Sequence, residues 1–299
     1  MNVIGELLYY YRNIQGITQQ ELVEVLSGYS HYFTALNTVT LSRWETGTTS
    51  PSIKKKRVLL QFLTAQGCFR EGECYHILRS RYEALSDVLA EVFSKNYQYL
   101  IGNLPRWNMD ACTIEVLRDV PHKKDYIEHI IDIEKATNPP HYYDITVGTL
   151  IEWVERKPSF CIAYECKKQY MGHFMMFKIK NYVAEEIAHH KRSEFSLRER
   201  DFCQHEESGT CYVHALYGRS PKIAALLNAQ AYLYLLEHME HIDNVMIFST
   251  RTDGVLLTKD YGIEVIASGR DETSGVDWYG MLSPLEDILF SDTVLKLVF

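Results

Sequence analysis

Val3, Ile4, Leu7, Leu8 and Tyr11 recur at the spacing of a single helix face, and Gly16 ends that pattern. The opening residues therefore predict an amphipathic helix. Thr18 followed three residues later by Glu21 is a capping-box pair, because hydroxyl and carboxylate can each satisfy the other's free backbone amide. A second helix is expected from there to about Gly28, carrying Leu22 and Val25 inward. After a polar and aromatic loop, a third short helix spans about Thr38 to Thr46, closed by Gly47 and Pro51. On that helix Thr38, Val39, Ser42 and Arg43 share one arc, while Leu41 and Trp44 fall on the other.

From Glu73 to Leu100 the apolar positions Ile77, Tyr82, Leu85, Val88, Leu89, Val92 and Phe93 suggest one long helix or two short ones without a chemical motif. This reads as a connector over 69–108. Its stripe suits either a two-fold contact between copies or packing against the C-terminal domain. Beyond it the pattern changes to a strand over 112–118, helices over 123–137 and 144–156, and strands over 159–166 and 171–180. A polar excursion from Glu185 to Glu207 comes next. Then come a strand from Cys211 to Tyr217, a helix from Pro221 to about His238, a strand from Val245 to Ser249, a short helix, and strands at Ile263 to Ala267 and Asp277 to Leu282.

Length supports this division, since 299 residues exceed one ordinary core. Three domains are expected: a helical one over 1–68, the connector over 69–108, and a mixed α/β one over 109–299. The net charge of −8 excludes a protein that coats nucleic acid along its whole surface. Residues 1–66 nonetheless hold six Lys and Arg against four Asp and Glu, so any DNA contact is local to that end. Seven scattered cysteines without a CxxC pair predict reduced thiols and no zinc site. His189 and His190, with Glu185, Glu186 and His205, lack metal-ligand spacing and read as a charged loop; no metal is expected. No apolar run reaches the length of a membrane span, so a cytoplasmic location without membrane contact is expected.

Leu41-Ser42-Arg43-Trp44-Glu45-Thr46-Gly47 with Ser50-Pro51-Ser52, together with Thr18-Gln19-Gln20-Glu21-Leu22, resembles the helix-turn-helix of phage-repressor-like (Cro/C1, or XRE) regulators over about 60 residues. The resemblance implies an all-α domain whose third helix enters the major groove of double-stranded DNA. By position, Gln19 meets a phosphate, Thr38, Val39 and Arg43 face base edges, Thr40 and Ser42 are further DNA-binding positions, and Arg12 with Glu45 forms an internal ion pair. Arg43 fits guanine O6 and N7, and Val39 fits a thymine methyl. Lys54 and Lys55, in the basic run Lys54 to Arg57, are either phosphate contacts or a solvated face. Binding as a homodimer is implied by the same resemblance.

Ser220 at an N-cap and Pro221 in the first turn favour helix initiation directly after a strand, a junction whose free amides suit a diphosphate. Arg219-Ser220-Pro221-Lys222-Ile223-Ala224, the later Leu256 to Val265 segment and the order of elements resemble the Gcn5-related N-acetyltransferase (GNAT) fold over about 170 residues. This implies a mixed-sheet domain with an acyl-coenzyme A diphosphate loop at Arg219, Ser220, Lys222 and Ala224. Lys222 stands where that family carries a glycine, and Thr258 where it usually carries a tyrosine that protonates the departing thiolate. His214, on the preceding strand, is a candidate base or simply a packed side chain.

The leading expectation is a DNA-binding transcriptional regulator whose degenerate GNAT-like domain senses a small-molecule effector such as acyl-CoA, or a partner. The alternatives are an active N-acetyltransferase carrying a DNA-binding domain, and a purely structural C-terminal module.

Overall fold

The computed structural model of the chain describes residues 3–68, 112–138, 144–291 and 293–295. The connector expected over 69–108 lies outside them. By contact, described residues 3–68 with 289–291 and 293–295 form one unit, and 112–288 form another.

The first unit is built from α1 (Val3–Ile14), α2 (Gln19–Tyr29), α3 (Thr38–Glu45) and α4 (Ile53–Ala65). The five apolar positions that predict α1 are all buried. The capping box is formed: the Thr18 hydroxyl accepts from the Glu21 amide at 3.2 Å, and the Glu21 carboxylate accepts from the Thr18 amide at 2.7 Å. Asn37 caps α3 by accepting from the Thr40 amide. On α2 the buried arc is Leu22, Val23 and Leu26, and Val25, expected inside, is 43% exposed. The arc turned inward thus runs through positions i, i+1 and i+4, which leaves Val25 outside it. A 3-10 turn, His31–Phe33, fills the aromatic loop and buries Phe33. Gly5 is required where α1 crosses α3, because a Cβ there would lie 1.7 Å from the Trp44 carbonyl oxygen. The C-terminal segment contributes buried Phe290, Val294 and Leu295 to this unit, and the buried Lys56 ammonium donates to the Phe290 carbonyl at 3.4 Å.

The second unit is a seven-stranded mixed sheet in the order β1-β2-β3-β4-β5-β7-β6. Its strands are β1 (Cys112–Val116), β2 (Ser159–Cys166), β3 (Gln169–Ile179), β4 (Gly209–Gly218), β5 (Ile242–Ser249), β6 (Val265–Arg270) and β7 (Asp277–Pro284). Neighbours run antiparallel except β4 and β5, which are parallel and joined through α8 (Pro221–Glu237). A parallel pair needs such a crossover, because a tight turn cannot return the chain to the same end.

One sheet face is covered by α5 (Lys123–Thr137), α6 (Val147–Glu155) and α7 (Asn181–Ala188), whose apolar residues join Cys161, Ala163, Met175, Phe177, Tyr212 and Ala215 in a single core. Helix α8 packs on β2, β3 and β4, with Tyr234 against Phe160. Phe160 alternates with the core residue Cys161, so α8 lies on the opposite face. Helices α9 (Thr252–Asp260) and α10 (Leu285–Leu289) complete the order. Helix α7 was not foreseen, since its start precedes the polar excursion; its Val183, Ala184, Ile187 and Ala188 are buried.

Two expectations are corrected by these elements. Cys166 is disulfide-bonded rather than reduced, whereas Cys68, Cys161, Cys203 and Cys211 are thiols. The short helix after β5 runs to Asp260, so the strand expected from Ile263 starts at Val265. Among the described residues no helix is long and apolar enough to cross a membrane.

Candidate functional site

The sheet opens between β4 and β5. Their ladder runs from Gly209↔Ile242 to Val213↔Ile247. Beyond that point β4 continues to Gly218 paired with β3, and β5 continues to Ser249 paired with β7. From His214 onward, among the described residues, β4 therefore has a strand partner on one side and an open edge on the other. Backbone N–H and C=O groups along such an edge are available to an extended amide-bearing ligand.

The opening begins at a β-bulge. Met175 pairs with Ala215 and Met176 with Val213, so His214 is the inserted residue in the β3 register. A bulge of this kind bends its strand and resets which face later residues occupy. As a result His214, Ala215 and Tyr217 share the core face. His214 packs against Trp153 and Phe177, Ala215 joins the core, and Tyr217 stacks on His173 at 5.9 Å.

His214 keeps some surface, but its ring is enclosed by Trp153, Phe177 and Tyr212. Burial of the ring lowers its pKa to about 4, with the Glu134 charge opposing that shift and His173 adding to it. At neutral pH His214 is therefore the uncharged imidazole, the form able to accept a proton. Its Nδ1 lies 3.0 Å from the Tyr212 hydroxyl, which donates to Glu194 Oε2.

A second polar cluster lies on the same face. His173, with no exposed surface, sets Nε2 at 3.2 Å from Glu134 Oε1 and Nδ1 against the Tyr170 hydroxyl. The other Glu134 oxygen accepts from Asn138 at 3.1 Å, and His129 meets the Tyr170 ring edge-on at 4.6 Å. Burial pushes the Tyr170 hydroxyl well up, and the Glu134 charge adds to this, so Tyr170 stays protonated.

At the mouth of the opening, Gly218 lets the start of α8 approach the strand, since a Cβ there would lie 2.7 Å from the Ala224 amide. Ser220 caps the helix by accepting from the Ile223 amide at 3.3 Å. Ala224 donates to the Ser220 carbonyl, and Pro221 has no N–H, so the Lys222 amide is the remaining first-turn donor. That amide and the cationic side chains of Arg219 and Lys222 are the groups this turn could offer to an anion. The turn thus presents side-chain charge at Arg219 and Lys222 beside the open β4 edge.

Thr258 is buried, and its hydroxyl donates to the Val255 carbonyl and lies 3.0 Å from Met281 Sδ. His189 contacts its own helix through Glu185 O, and His190, at φ 53°, stacks with Phe248 and Trp278. Among the described residues no group of three or more His, Cys, Asp or Glu side chains is placed to hold a metal ion.

In the first unit, Arg12 grips Glu45 through two contacts, Nε to Oε1 at 2.9 Å and Nη2 to Oε2 at 3.3 Å. The Gln19 amide donates to Glu45 Oε2 at 2.7 Å, so the residue expected on a phosphate is also tied to this pair. Helix α3 buries Leu41 and Trp44 and turns Val39, 59% exposed, and Arg43 outward, with Thr38, Thr40 and Ser42 half-buried beside them. Lys54 is exposed, Lys55 holds its ammonium 5.7 Å from the Trp44 ring centre, and Lys56 is buried.

The sequence reasoning singled out His214 but not Glu134, Tyr170, His173, Glu194 or Tyr212. His173 on β3 and Glu134 on α5 stand 39 residues apart, and a strand histidine by itself carries no signal.

No family model matches this chain, and no curated protein does. Among solved structures, the chain is similar to FeeM, an N-acyl amino acid synthase from uncultured soil microbes, at 15% identity and a TM-score of 0.40 over 58% of this chain and 90% of that one. It is similar to an N-acetyltransferase from Staphylococcus aureus Mu50 at 13% identity and a TM-score of 0.38, over 58% and 98%. Naa50 of Arabidopsis thaliana, in complex with the bisubstrate analogue CoA-Ac-MVNAL, is similar at 11% identity and a TM-score of 0.38, also over 58% and 98%. Likenesses of this size assign neither a substrate nor a reaction.

Proposed function

We propose that the second unit is a GNAT-type acyltransferase that passes an acyl group from a thioester donor to an amine, and that the first unit binds DNA. The observation that carries the enzymatic reading is the open β4 edge, which starts at the bulged, uncharged His214. An acyl-CoA would supply the activated thioester there. The β4 backbone pairs with the donor's amide-bearing arm, and Arg219 and Lys222 balance phosphate charge. His214 binds protons weakly, so it takes one only as the attacking nitrogen becomes positively charged. That limits proton transfer to the point in the reaction where it helps. Trp153, Phe177 and Tyr212 around the ring keep water from it, which limits hydrolysis of the thioester.

The binding step is tested by thermal unfolding of the full chain with acyl-CoA, CoA and free pantetheine. A donor binding at 100 times its Kd adds about 2.7 kcal/mol of stability, whereas unchanged curves with all three count against the site. The regulator reading uses the same opening to sense a ligand without turnover.

DNA binding rests on α3. An exposed valine beside an exposed arginine, on a helix whose opposite face is core, is the arrangement of an apolar and a bidentate base contact. Footprinting at fixed salt, with Arg43→Ala beside the wild type, tests it: a discrete site lost in the variant is expected, and absence of any specific site removes this half of the reading.

A further inference from the structure

The basic run from Lys54 to Arg57 turns one of its cations inward. Lys56 is buried, and its ammonium donates at 3.4 Å to the carbonyl of Phe290, 234 positions along the chain. A buried charge keeps its place only among polar partners. The Phe290 carbonyl suits it, being the first beyond α10, where a helix end leaves acceptors without an intrahelical donor. The residues around that carbonyl are packed as core. Phe290, Val294 and Leu295 are each no more than 2% exposed and belong by contact to the first unit. Ser291 organises them: its hydroxyl accepts from the Val294 amide at 3.1 Å and its carbonyl from the Leu295 amide at 3.0 Å, the pattern of a capped helical turn.

We propose that this C-terminal segment is a built-in partner of the DNA-binding unit: it completes the core beside α4, and the unit presents α3 to DNA only while the segment is docked. The stretch 3–68 gains much from such a partner, because a chain of about 65 residues buries a small share of its surface and is marginally stable alone.

Contacts within the first unit carry the effect from α4 to α3. Tyr11 on α1 meets Phe62 on α4 edge-on at 5.2 Å. Helix α1 is in turn locked to α3, through Gly5 beneath the Trp44 carbonyl and through Arg12 on Glu45. Loss of the segment therefore loosens α4 first, and α1 and α3 with it. The segment also continues directly from the second unit. Ile288 is the last residue of that unit and Leu289 the next, both buried, with Leu285 buried three positions before Ile288. The stretch 284–290 holds no glycine or serine to act as a flexible linker. An event that draws the segment away from the first unit lowers DNA affinity by depopulating the binding-competent state.

The consequence for DNA rests on the DNA-binding reading, whereas the docking is tested without DNA. Amide hydrogen exchange of the full-length protein is compared with that of Leu295→Asp and of a chain shortened to end at Leu289. In both variants the amides of α1 and α4 are expected to exchange on the order of 10²-fold faster, and those of β2, β3 and β4 at the wild-type rate. A synthetic peptide of residues 288–299, added to the shortened chain, is expected to restore slow exchange in α1 and α4. Should Leu295→Asp fail to fold, the shortened chain with and without peptide makes the same comparison. Affinity for a specific DNA site, at fixed salt, is expected to fall in the same variants and to return with the peptide. Unchanged exchange in α1 and α4 overturns the proposal, and so does an equal acceleration in the strands. Lost protection with DNA affinity retained overturns the requirement for docking. Lost protection in a protein whose wild type binds no specific site supports the docking and overturns the DNA-binding reading instead.

Discussion

Glu134 on α5 and His173 on β3 meet at 3.2 Å, where the histidine is wholly enclosed and the carboxylate side chain is 12% exposed. The contact ties helix α5 to the centre of the sheet. Replacing Glu134 by Leu leaves the His173 ring and the Asn138 amide without that acceptor. A destabilisation of about 1–3 kcal/mol is expected, the usual cost of an unsatisfied buried polar group. Urea unfolding checks this, and a midpoint equal to the wild type would show that the pair contributes nothing.

His214 predicts a pH dependence of stability. Its folded pKa of about 4 lies below the roughly 6.5 of an unperturbed histidine. Between those values the unfolded chain binds a proton that the folded protein refuses, so acid favours unfolding. The contribution of this group is therefore complete above about pH 6.5 and is lost as pH falls toward 4. In His214→Gln that part of the slope flattens, as measured by unfolding midpoints at half-unit pH steps.

The Arg12–Glu45 pair, with Gln19 added to it, joins α1, α2 and α3. Glu45→Ala leaves the Arg12 guanidinium without its bidentate partner at a site where it is 16% exposed. A loss of about 2–3 kcal/mol is expected, at the lower edge of values for fully buried pairs. Thermal unfolding of the variant checks it.

Two substitutions separate base reading from phosphate attraction. Arg43→Ala is expected to weaken binding to a specific site by about 1–3 kcal/mol and to relax preference at one base pair. Lys54→Ala is expected to weaken binding to all sequences alike and to lower the salt slope by about one. Affinities measured at several salt concentrations distinguish the two patterns.

The periodic part of this fold was legible. Val3, Ile4, Leu7, Leu8 and Tyr11 face the core as their spacing implies, and the strands and helices of the second unit occur in the expected order from β1 to β7, apart from the added α7. What periodicity cannot carry is a one-residue insertion. The bulge at His214 brings Ala215 and Tyr217 to the core face, where strict alternation would put Leu216. Nor does local pattern pair residues far apart along the chain: Lys56 meets the carbonyl of Phe290, 234 positions on. The candidate site was half legible for the same reason. His214 stood out on a strand before a helix cap, but Glu194 and Tyr212 acquire their meaning only through the packing of a turn against β4.

Thiol release is the most direct test of acyl transfer. Free thiol is measured after mixing the full-length protein with acyl-CoA thioesters of several chain lengths and a panel of amines, in wild type and His214→Gln at mildly alkaline pH. Amine-dependent release in the wild type, reduced on the order of 10²-fold in the variant, is the predicted result. Release that is absent across the panel, or equal in the two proteins, contradicts the account.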